Sequence, residues 1–152
     1  MTPHFISRRV VADRLDVVNY LLREIRALPL EDREVFFGDR RNLWAAESCL
    51  RRSLEALFDL GRHILAKGYG LGISEYKEIA ARLKEQGVLL EKEAEILRLL
   101  AGYRNRMVHF YHEISAEELY EICAHRLGDL EVIQAAYRRW LREHPERLDS
   151  AL

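Results

Sequence analysis

The sequence predicts an all-α protein, an up-down helical bundle of four main helices plus a short helix. Apolar residues recur at intervals of three and four along several long segments, which is the spacing of one helix face. No segment sustains the alternation of apolar and polar residues that a half-buried β-strand would show. With 152 residues, 49% of them hydrophobic, the chain is expected to form a single domain over residues 1–152.

The first helix is predicted by an apolar face that consists of Val11, Leu15, Val18, Leu22 and Ile25. Ser7 is placed to accept hydrogen bonds from the free N–H groups at its start. Pro29 ends the helix because proline has no N–H to donate. A short helical turn is expected over residues 31–37, and Gly38 with Asp39 then indicates a break and a new cap.

The second main helix is long, and its apolar face consists of Leu43, Leu50, Leu54, Leu57, Gly61 and Ile64. Gly68 is predicted just past its end, where a left-handed residue closes many helices. Ser74 is predicted to cap a shorter helix that Gly87 closes.

A further main helix begins near Leu90, with an inward stripe of Ala94, Leu97, Ala101, Arg104 and Val108. Ser115 and Glu118 form a capping box for the last main helix, which is predicted to run to Pro145. The residues after Pro145 are polar and are expected to fray.

Composition limits the classes of function. A net charge of −1 provides no overall positive field, so a contact with nucleic acid must come from a local cluster. Of the 24 basic residues 20 are arginine, which reflects either genomic composition or a surface suited to phosphate. Cys49 and Cys123 lack the spacing of metal ligands, so no metal site is predicted. No signal peptide and no run of about 20 apolar residues is present, and we expect a cytoplasmic protein without membrane contact.

The most informative segment runs from Arg104 to Tyr111 and combines an arginine, a histidine and a tyrosine. Arginine holds a phosphate or a developing oxyanion through a fixed fork of donors, and histidine exchanges protons near neutral pH. These are the groups that metal-free cleavage of an RNA phosphodiester needs. His109 lies roughly 140° around an ideal helix from Arg104. The two converge only if the helix loosens at its end, or if a symmetric dimer forms a shared cleft.

The catalytic interpretation of this segment has structural alternatives. Arg104 falls on an apolar stripe, where a guanidinium needs a carboxylate partner or a wet cleft, and Asp59 is the candidate partner. His109 could instead stabilise the end of its helix through the helix dipole.

The neighbouring polar residues also have two interpretations each. Asn105 is suited either to bind a phosphate or base or to cap the helix. Arg106 is expected in solvent, where it could add a phosphate contact. Tyr111 is suited to stack on a base or to pack in the core.

These residues resemble the HEPN superfamily and, more narrowly, the HepT toxins. The resemblance rests on the pattern Arg104-x4-His109-x-Tyr111 at the end of the penultimate long helix. It also rests on residues 56–64, which are similar to a family segment that ends in Asp-x-x-x-His-Ile. The resemblance implies a HEPN-like bundle and a homodimeric, metal-independent ribonuclease without a cofactor, in which Arg104 and His109 are catalytic.

The resemblance also implies a protein partner. HepT toxins pair with a minimal nucleotidyltransferase antitoxin, MntA, and Tyr111 takes the place of the tyrosine that this partner modifies with AMP. The sequence therefore predicts an endoribonuclease toxin with RNA as its substrate. The alternative is a non-catalytic helical module that binds a nucleotidyltransferase or a nucleotide, with Arg104 holding the phosphate.

Overall fold

The computed structural model describes residues 5–108 and 114–150. These residues form seven helices: α1 (Arg8–Arg26), α2 (Arg33–Phe37), α3 (Arg40–Tyr69), α4 (Tyr76–Glu85), α5 (Glu91–Val108), α6 (Ala116–His125) and α7 (Leu127–Glu143). A 3₁₀ turn follows at Pro145–Arg147, and the only β-pairing in these ranges is one isolated bridge between Ile6 and Leu148. The predicted all-α class is confirmed, with α1, α3, α5 and α7 as the four main helices. None of the described helices is long and apolar enough to cross a membrane.

The long helix α3 is the centre of the bundle. Its 30 residues pack against each of the other six helices. A helix of that length spans about 45 Å, which gives it one stretch of surface for every neighbour. One cluster of buried apolar side chains includes members from all seven helices. The single domain over residues 1–152 stays a prediction.

The start of α1 and the end of α4 follow the sequence pattern. The Ser7 hydroxyl oxygen accepts a hydrogen bond from the Val10 N–H at 3.2 Å, so Ser7 caps α1 as predicted. Gly87, just beyond α4, has a φ of 77°, a conformation that glycine adopts without steric cost.

The predicted end of α3 is wrong by two residues. The helix continues to Tyr69, and the left-handed residue is Gly70, with a φ of 68°. Gly68 is buried inside the helix, and its carbonyl accepts a hydrogen bond from Arg147 at 2.6 Å. The contact with Arg147 therefore accompanies a helix that continues past Gly68, although glycine at this position had predicted the end of the helix.

Two other predicted boundaries also differ. The cap of α4 is Glu75 rather than Ser74, because the Glu75 carboxylate accepts from the N–H groups of Lys77 and Glu78. The last main helix is not continuous: it breaks at Arg126 into α6 and α7. The Arg126 side chain at this break is 52% exposed.

The end of the described chain is bound to its beginning. The Ile6 N–H donates to the Arg147 carbonyl at 2.8 Å, and the Asp149 N–H donates to the Ile6 carbonyl at 2.9 Å. The Asp149 carboxylate also accepts from the Arg8 N–H at 2.9 Å. The expected fraying after Pro145 is therefore wrong for residues 145–149.

The close approach of α3, α4 and α7 at Gly61 yields a stability prediction. A Cβ at this position would lie 2.6 Å from the Tyr137 hydroxyl, which donates to the Leu57 carbonyl, and 3.0 Å from a Leu83 methyl group. We expect Gly61→Ala to lower the free energy of unfolding by about 1–3 kcal/mol, because the buried neighbours must shift. Urea denaturation monitored by circular dichroism measures the change.

Gly102→Ala in α5 is the matched control. A Cβ there meets no atom within 4 Å, so the same change should stabilise the protein by about 0.5–1 kcal/mol through helix propensity. Equal stability of Gly61→Ala and the wild type would contradict the described packing.

Candidate active site

Arg104 lies where the inward face of α5 leaves the core. The preceding positions of the predicted stripe, Ala94, Leu97 and Ala101, are buried, whereas the Arg104 side chain is 24% exposed. Helix α5 packs against α3, α4 and α7. Arg104 is therefore held between helices while part of its side chain remains open to solvent.

Three features define the surroundings of the Arg104 guanidinium. One terminal nitrogen, Nη2, lies 3.4 Å from a carboxylate oxygen of Glu55 on α3. The central carbon lies over the Tyr76 ring, 4.2 Å from its centroid. The Nε atom is buried and has no hydrogen-bond partner within the described ranges. A buried donor without an acceptor is uncommon in folded proteins.

Tyr76 itself stacks against another aromatic ring. Phe58 on α3 stacks against it with centroids 4.6 Å apart and planes inclined by 15°. Because one face of Tyr76 is covered by Phe58, the guanidinium of Arg104 takes the other face. The three side chains form a stack that starts in the core and ends at the candidate site.

The predicted partner of Arg104 is wrong. Asp59 pairs with Arg62 at 3.2 Å and with Arg14 at 3.8 Å, and the carboxylate beside Arg104 belongs to Glu55, one turn earlier on α3. Asp59 and Glu55 lie on the same side of α3, so the sequence predicted the correct face of this helix for the carboxylate partner of Arg104. The choice between them depends on how far α5 is displaced along α3, which sequence periodicity does not encode.

Glu55 is shared between two arginines. It lies 3.0 Å from Arg51 on its own helix and 3.4 Å from Arg104. Together with Asp59 and Arg62, these residues make a polar strip along α3, and arginines outnumber carboxylates around it once Arg104 is counted. This is the kind of local cluster that a phosphate contact requires in a chain of net charge −1.

Arg106 does not stand free in solvent as expected. Its two terminal nitrogens bind the two Glu118 oxygens at 2.9 and 2.7 Å, which ties α5 to the start of α6. The Glu118 N–H donates to Ser115, so the predicted cap of this helix is confirmed. Asn105 is half-buried on α5, and its roles as cap or ligand contact both stay predictions.

The remaining predicted residues, His109 and Tyr111, lie outside the described residues. The catalytic role of the first and the modification of the second stay predictions. Within the described ranges, no three His, Cys, Asp or Glu side chains are grouped as metal ligands would be.

Sequence analysis missed Glu55, Phe58 and Tyr76. The spacing of four between Arg51 and Glu55 was a visible signal for an ion pair along one helix. No local signal links Phe58 to Tyr76, because these rings belong to different helices and meet only through the packing of α4 on α3.

His63, one turn beyond Asp59 on α3, has a structural contact. Its Nε2 atom accepts a hydrogen bond from the Ser7 N–H at 3.0 Å, so it fixes the residue that caps α1. Burial lowers the pKa of His63, and the positive charges of Lys67 and Arg14 lower it further, against a smaller opposite effect of Asp149. The neutral ring that this bond needs is therefore the favoured form.

A protein-family model described as "Ribonuclease HepT-like" matches residues 20–136, which include the polar strip of α3 and the whole Arg104–Tyr111 segment. The comparison with curated protein sequences gave no match.

Several solved structures share the fold. A protein described as a tri-AMPylated HEPN toxin of Shewanella oneidensis in complex with an MNT antitoxin is 18% identical, with a TM-score of 0.76 over 86% of this chain and 97% of that one. YutE of Bacillus subtilis, described as a cytosolic protein of unknown function, is 20% identical, with a TM-score of 0.77 over 97% and 98%. A toxin–antitoxin structure with AMP-PNP is 17% identical, with a TM-score of 0.75 over 84% and 97%. At these identities the likeness establishes the fold, and the expected HEPN-like bundle is confirmed.

The contact between His63 and Ser7 predicts a pH dependence of stability. Because folding lowers the pKa of His63, the unfolded chain takes up the proton first as pH falls, and stability is lost below about pH 6.5. In His63→Gln the amide oxygen can still accept from Ser7 but does not titrate. We expect its free energy of unfolding to fall less than that of the wild type over this range, as measured by urea denaturation.

His125→Gln, which changes an exposed histidine in α6, is the control and should follow the wild-type pH profile. A His63→Gln profile that coincides with the wild type would refute the role assigned to the neutral ring.

Proposed function

Because this chain belongs to the HepT-like ribonuclease family, we propose that it is a metal-independent endoribonuclease and the toxin of a toxin–antitoxin pair. The observation that supports this most is the state of Arg104. Its guanidinium is half-buried, lies over an aromatic ring, and has a donor, Nε, without an acceptor among residues 5–108 and 114–150. A phosphate oxygen is the acceptor that such a group is suited to bind.

The proposed reaction is an internal transesterification. His109 removes the proton from a ribose 2′-hydroxyl, and the freed oxygen attacks the adjacent phosphorus. A bond forms between O2′ and phosphorus while the bond from phosphorus to O5′ breaks. The leaving O5′ takes a proton from the second His109 of a homodimer or from water. The products are a 2′,3′-cyclic phosphate and a 5′-hydroxyl.

Arg104 would stabilise the charge that develops on the non-bridging oxygens during this step. A guanidinium stays charged at every relevant pH, so it does not compete with His109 for protons. Its partial burial strengthens the attraction, because fewer water molecules screen the phosphate charge. The ion pair with Glu55 involves one terminal nitrogen, Nη2, at 3.4 Å.

The surroundings suggest roles for the neighbouring residues. Asn105 is proposed to contact the substrate. Arg106, whose terminal nitrogens are bound to Glu118, would hold α6 in place, and its proposed contact with the substrate would require this ion pair to open. We propose a cytoplasmic homodimer, since two copies of Arg104 and His109 would then border one cleft.

We propose that neutralisation proceeds through Tyr111. A minimal nucleotidyltransferase antitoxin would form a bond between the Tyr111 hydroxyl oxygen and the α-phosphorus of ATP, with pyrophosphate as the leaving group. The added AMP would stand two residues from His109, compete with substrate phosphate for Arg104 and repel RNA. The Shewanella oneidensis toxin, described as tri-AMPylated, supports this proposal by its shared fold.

The first prediction concerns cleavage itself. Wild-type protein incubated with total RNA in EDTA should generate fragments that end in 2′,3′-cyclic phosphates. Arg104→Ala and His109→Ala should each lower the rate by about a hundredfold or more, because each loses one of the groups that the transition state needs. A substrate with 2′-deoxyribose at the cleaved position should resist.

Arg98→Ala is the matched control, since Arg98 is an exposed arginine of the same helix α5 and should be replaceable without loss of activity. A wild-type rate of RNA cleavage by His109→Ala would refute the proposed mechanism. No cleavage by a wild type whose Tyr111 is free of AMP, as checked by mass spectrometry, would favour the non-catalytic binding module.

The second prediction concerns modification. Incubation with the partner nucleotidyltransferase and ATP should add AMP to the peptide that carries Tyr111 and should suppress RNA cleavage. Tyr111→Phe should stay unmodified and keep its cleavage activity in the presence of the partner, because it has no phenolic oxygen to accept AMP. Mass spectrometry of digested protein locates the group.

Tyr20→Phe tests for unspecific modification, because Tyr20 is 54% exposed on α1 and offers an accessible phenol. The Tyr20→Phe protein should gain AMP to the same extent as the wild type. AMP found mainly on another tyrosine would refute the assignment of Tyr111.

A further inference from the structure

The ion pair alone does not fix the orientation of Arg104. Its distance to Glu55 is 3.4 Å, and the same carboxylate lies closer, at 3.0 Å, to Arg51. A partly exposed pair of this kind contributes little to stability and leaves its partners free to rotate. A second restraint is needed to hold the guanidinium in one plane.

The Tyr76 ring provides that restraint. The guanidinium carbon lies 4.2 Å from the ring centroid, which is within the range of a favourable cation–π contact. Phe58 stacks on the same ring with centroids 4.6 Å apart, which restricts the movement of Tyr76. An aromatic ring attracts the cation through its face and does not bind the N–H donors as a carboxylate would.

Tyr76 is in turn fixed by Arg62. Tyr76 is the first residue of α4, and the backbone just before it bonds to Arg62: Nε donates to the Ile73 carbonyl at 3.2 Å and Nη2 to the Ser74 carbonyl at 3.3 Å. The same guanidinium lies 5.5 Å from the Tyr76 ring. The third nitrogen of Arg62 donates to Asp59 at 3.2 Å, so each of its three nitrogens has an acceptor.

We propose that Tyr76 is a positioning residue that orients Arg104 for phosphate, and that Asp59 acts on the same arginine indirectly, through Arg62 and the backbone before α4. The proposal rests on the proposed ribonuclease function for its effect on cleavage, but the orientation itself is a property of the free protein. It also gives Asp59 a role that does not require contact with Arg104.

The chemistry of the contact explains why a ring serves better than a second carboxylate. A carboxylate that faced Arg104 side-on would occupy two donors and cancel the charge that the phosphate needs. An aromatic face attracts the cation through its quadrupole without accepting any of these hydrogen bonds. The site therefore holds the arginine in place and leaves its charge and its donors to the substrate.

The first test measures orientation without RNA. The Nε–H resonance of Arg104, assigned by its loss in Arg104→Lys, should be shielded by the ring current of Tyr76. Tyr76→Phe keeps the ring and should keep this shift, whereas Tyr76→Leu should move the resonance toward that of an unstacked arginine. An unchanged resonance in Tyr76→Leu, or its displacement in Tyr76→Phe, would overturn the proposal.

The second test measures RNA cleavage under saturating substrate. Tyr76→Leu should lower kcat about tenfold, or about 1.4 kcal/mol, with KM changed less than kcat, and Tyr76→Phe should restore the rate to within about twofold. Loss of kcat in both variants, or in neither, would contradict a role for the ring. A wild type that does not cleave RNA would refute the ribonuclease function, while the resonance test would still decide the orientation.

Tyr69→Leu is the matched control for both tests. The Tyr69 ring lies 4.4 Å from the guanidinium of Arg147, so this change removes the same type of contact elsewhere in the bundle. It should leave the Arg104 resonance and the rate of cleavage unchanged. An equal loss of kcat in Tyr69→Leu would show that any lost aromatic contact impairs the protein, and would overturn the specific role of Tyr76.

Arg62→Met tests the indirect part of the proposal. Arg62→Met should shift the Arg104 resonance in the same direction as Tyr76→Leu and should lower kcat. The double variant Arg62→Met/Tyr76→Leu should have the same kcat as Tyr76→Leu alone, because both changes remove the same restraint. Additive losses would refute the path through Arg62. Should Tyr76→Leu fail to fold by circular dichroism, Arg62→Met carries the same test, since Arg62 is 36% exposed.

Discussion

The packing of α3 at the centre of the bundle is the constraint on which the rest of this structure depends. Six helices pack against it, and Arg51, Glu55, Asp59 and Arg62 form a polar strip along one side of it. Charges on the faces of α3 that its neighbours cover would carry the cost of desolvation. The candidate site lies where α4 and α5 meet this strip.

Arg104 lies where these helices meet. The helix that carries it, α5, buries Leu97, Leu100 and Ala101 in the core, whereas Arg104 lies at the boundary between core and solvent. A permanent charge at such a boundary needs favourable contacts, and the structure supplies them through a shared carboxylate and an aromatic face rather than through a tight ion pair. These contacts stabilise the arginine, and under the proposed function they would also orient it for phosphate.

Asp59 and His63, two polar residues of segment 56–64 on α3, make contacts in different parts of the bundle. Asp59 contacts Arg62, which bonds to the backbone before α4 and so belongs to the site side of the helix. His63 contacts Ser7, which caps α1, and the chain just beyond Leu148 bonds back to the same N-terminal region. The turn of α3 from Asp59 to His63 therefore contacts both Ser7, which caps α1, and Arg62, which bonds to the backbone before Tyr76.

The fold class, the four main helices and the family were accessible from sequence, because apolar periodicity, capping residues and the Arg104–Tyr111 pattern are local signals. The caps at Ser7 and Ser115 followed from residue type alone. The extension of α3 past Gly68 and the break at Arg126 did not, because contacts with distant residues and the burial of neighbouring side chains override local preference. Likewise, the sequence identified Arg104 as the residue in need of a partner, but only the tertiary structure selected Glu55 and Tyr76. That selection depends on the displacement and rotation of α4 and α5 against α3, which are set by the fit of all their side chains together.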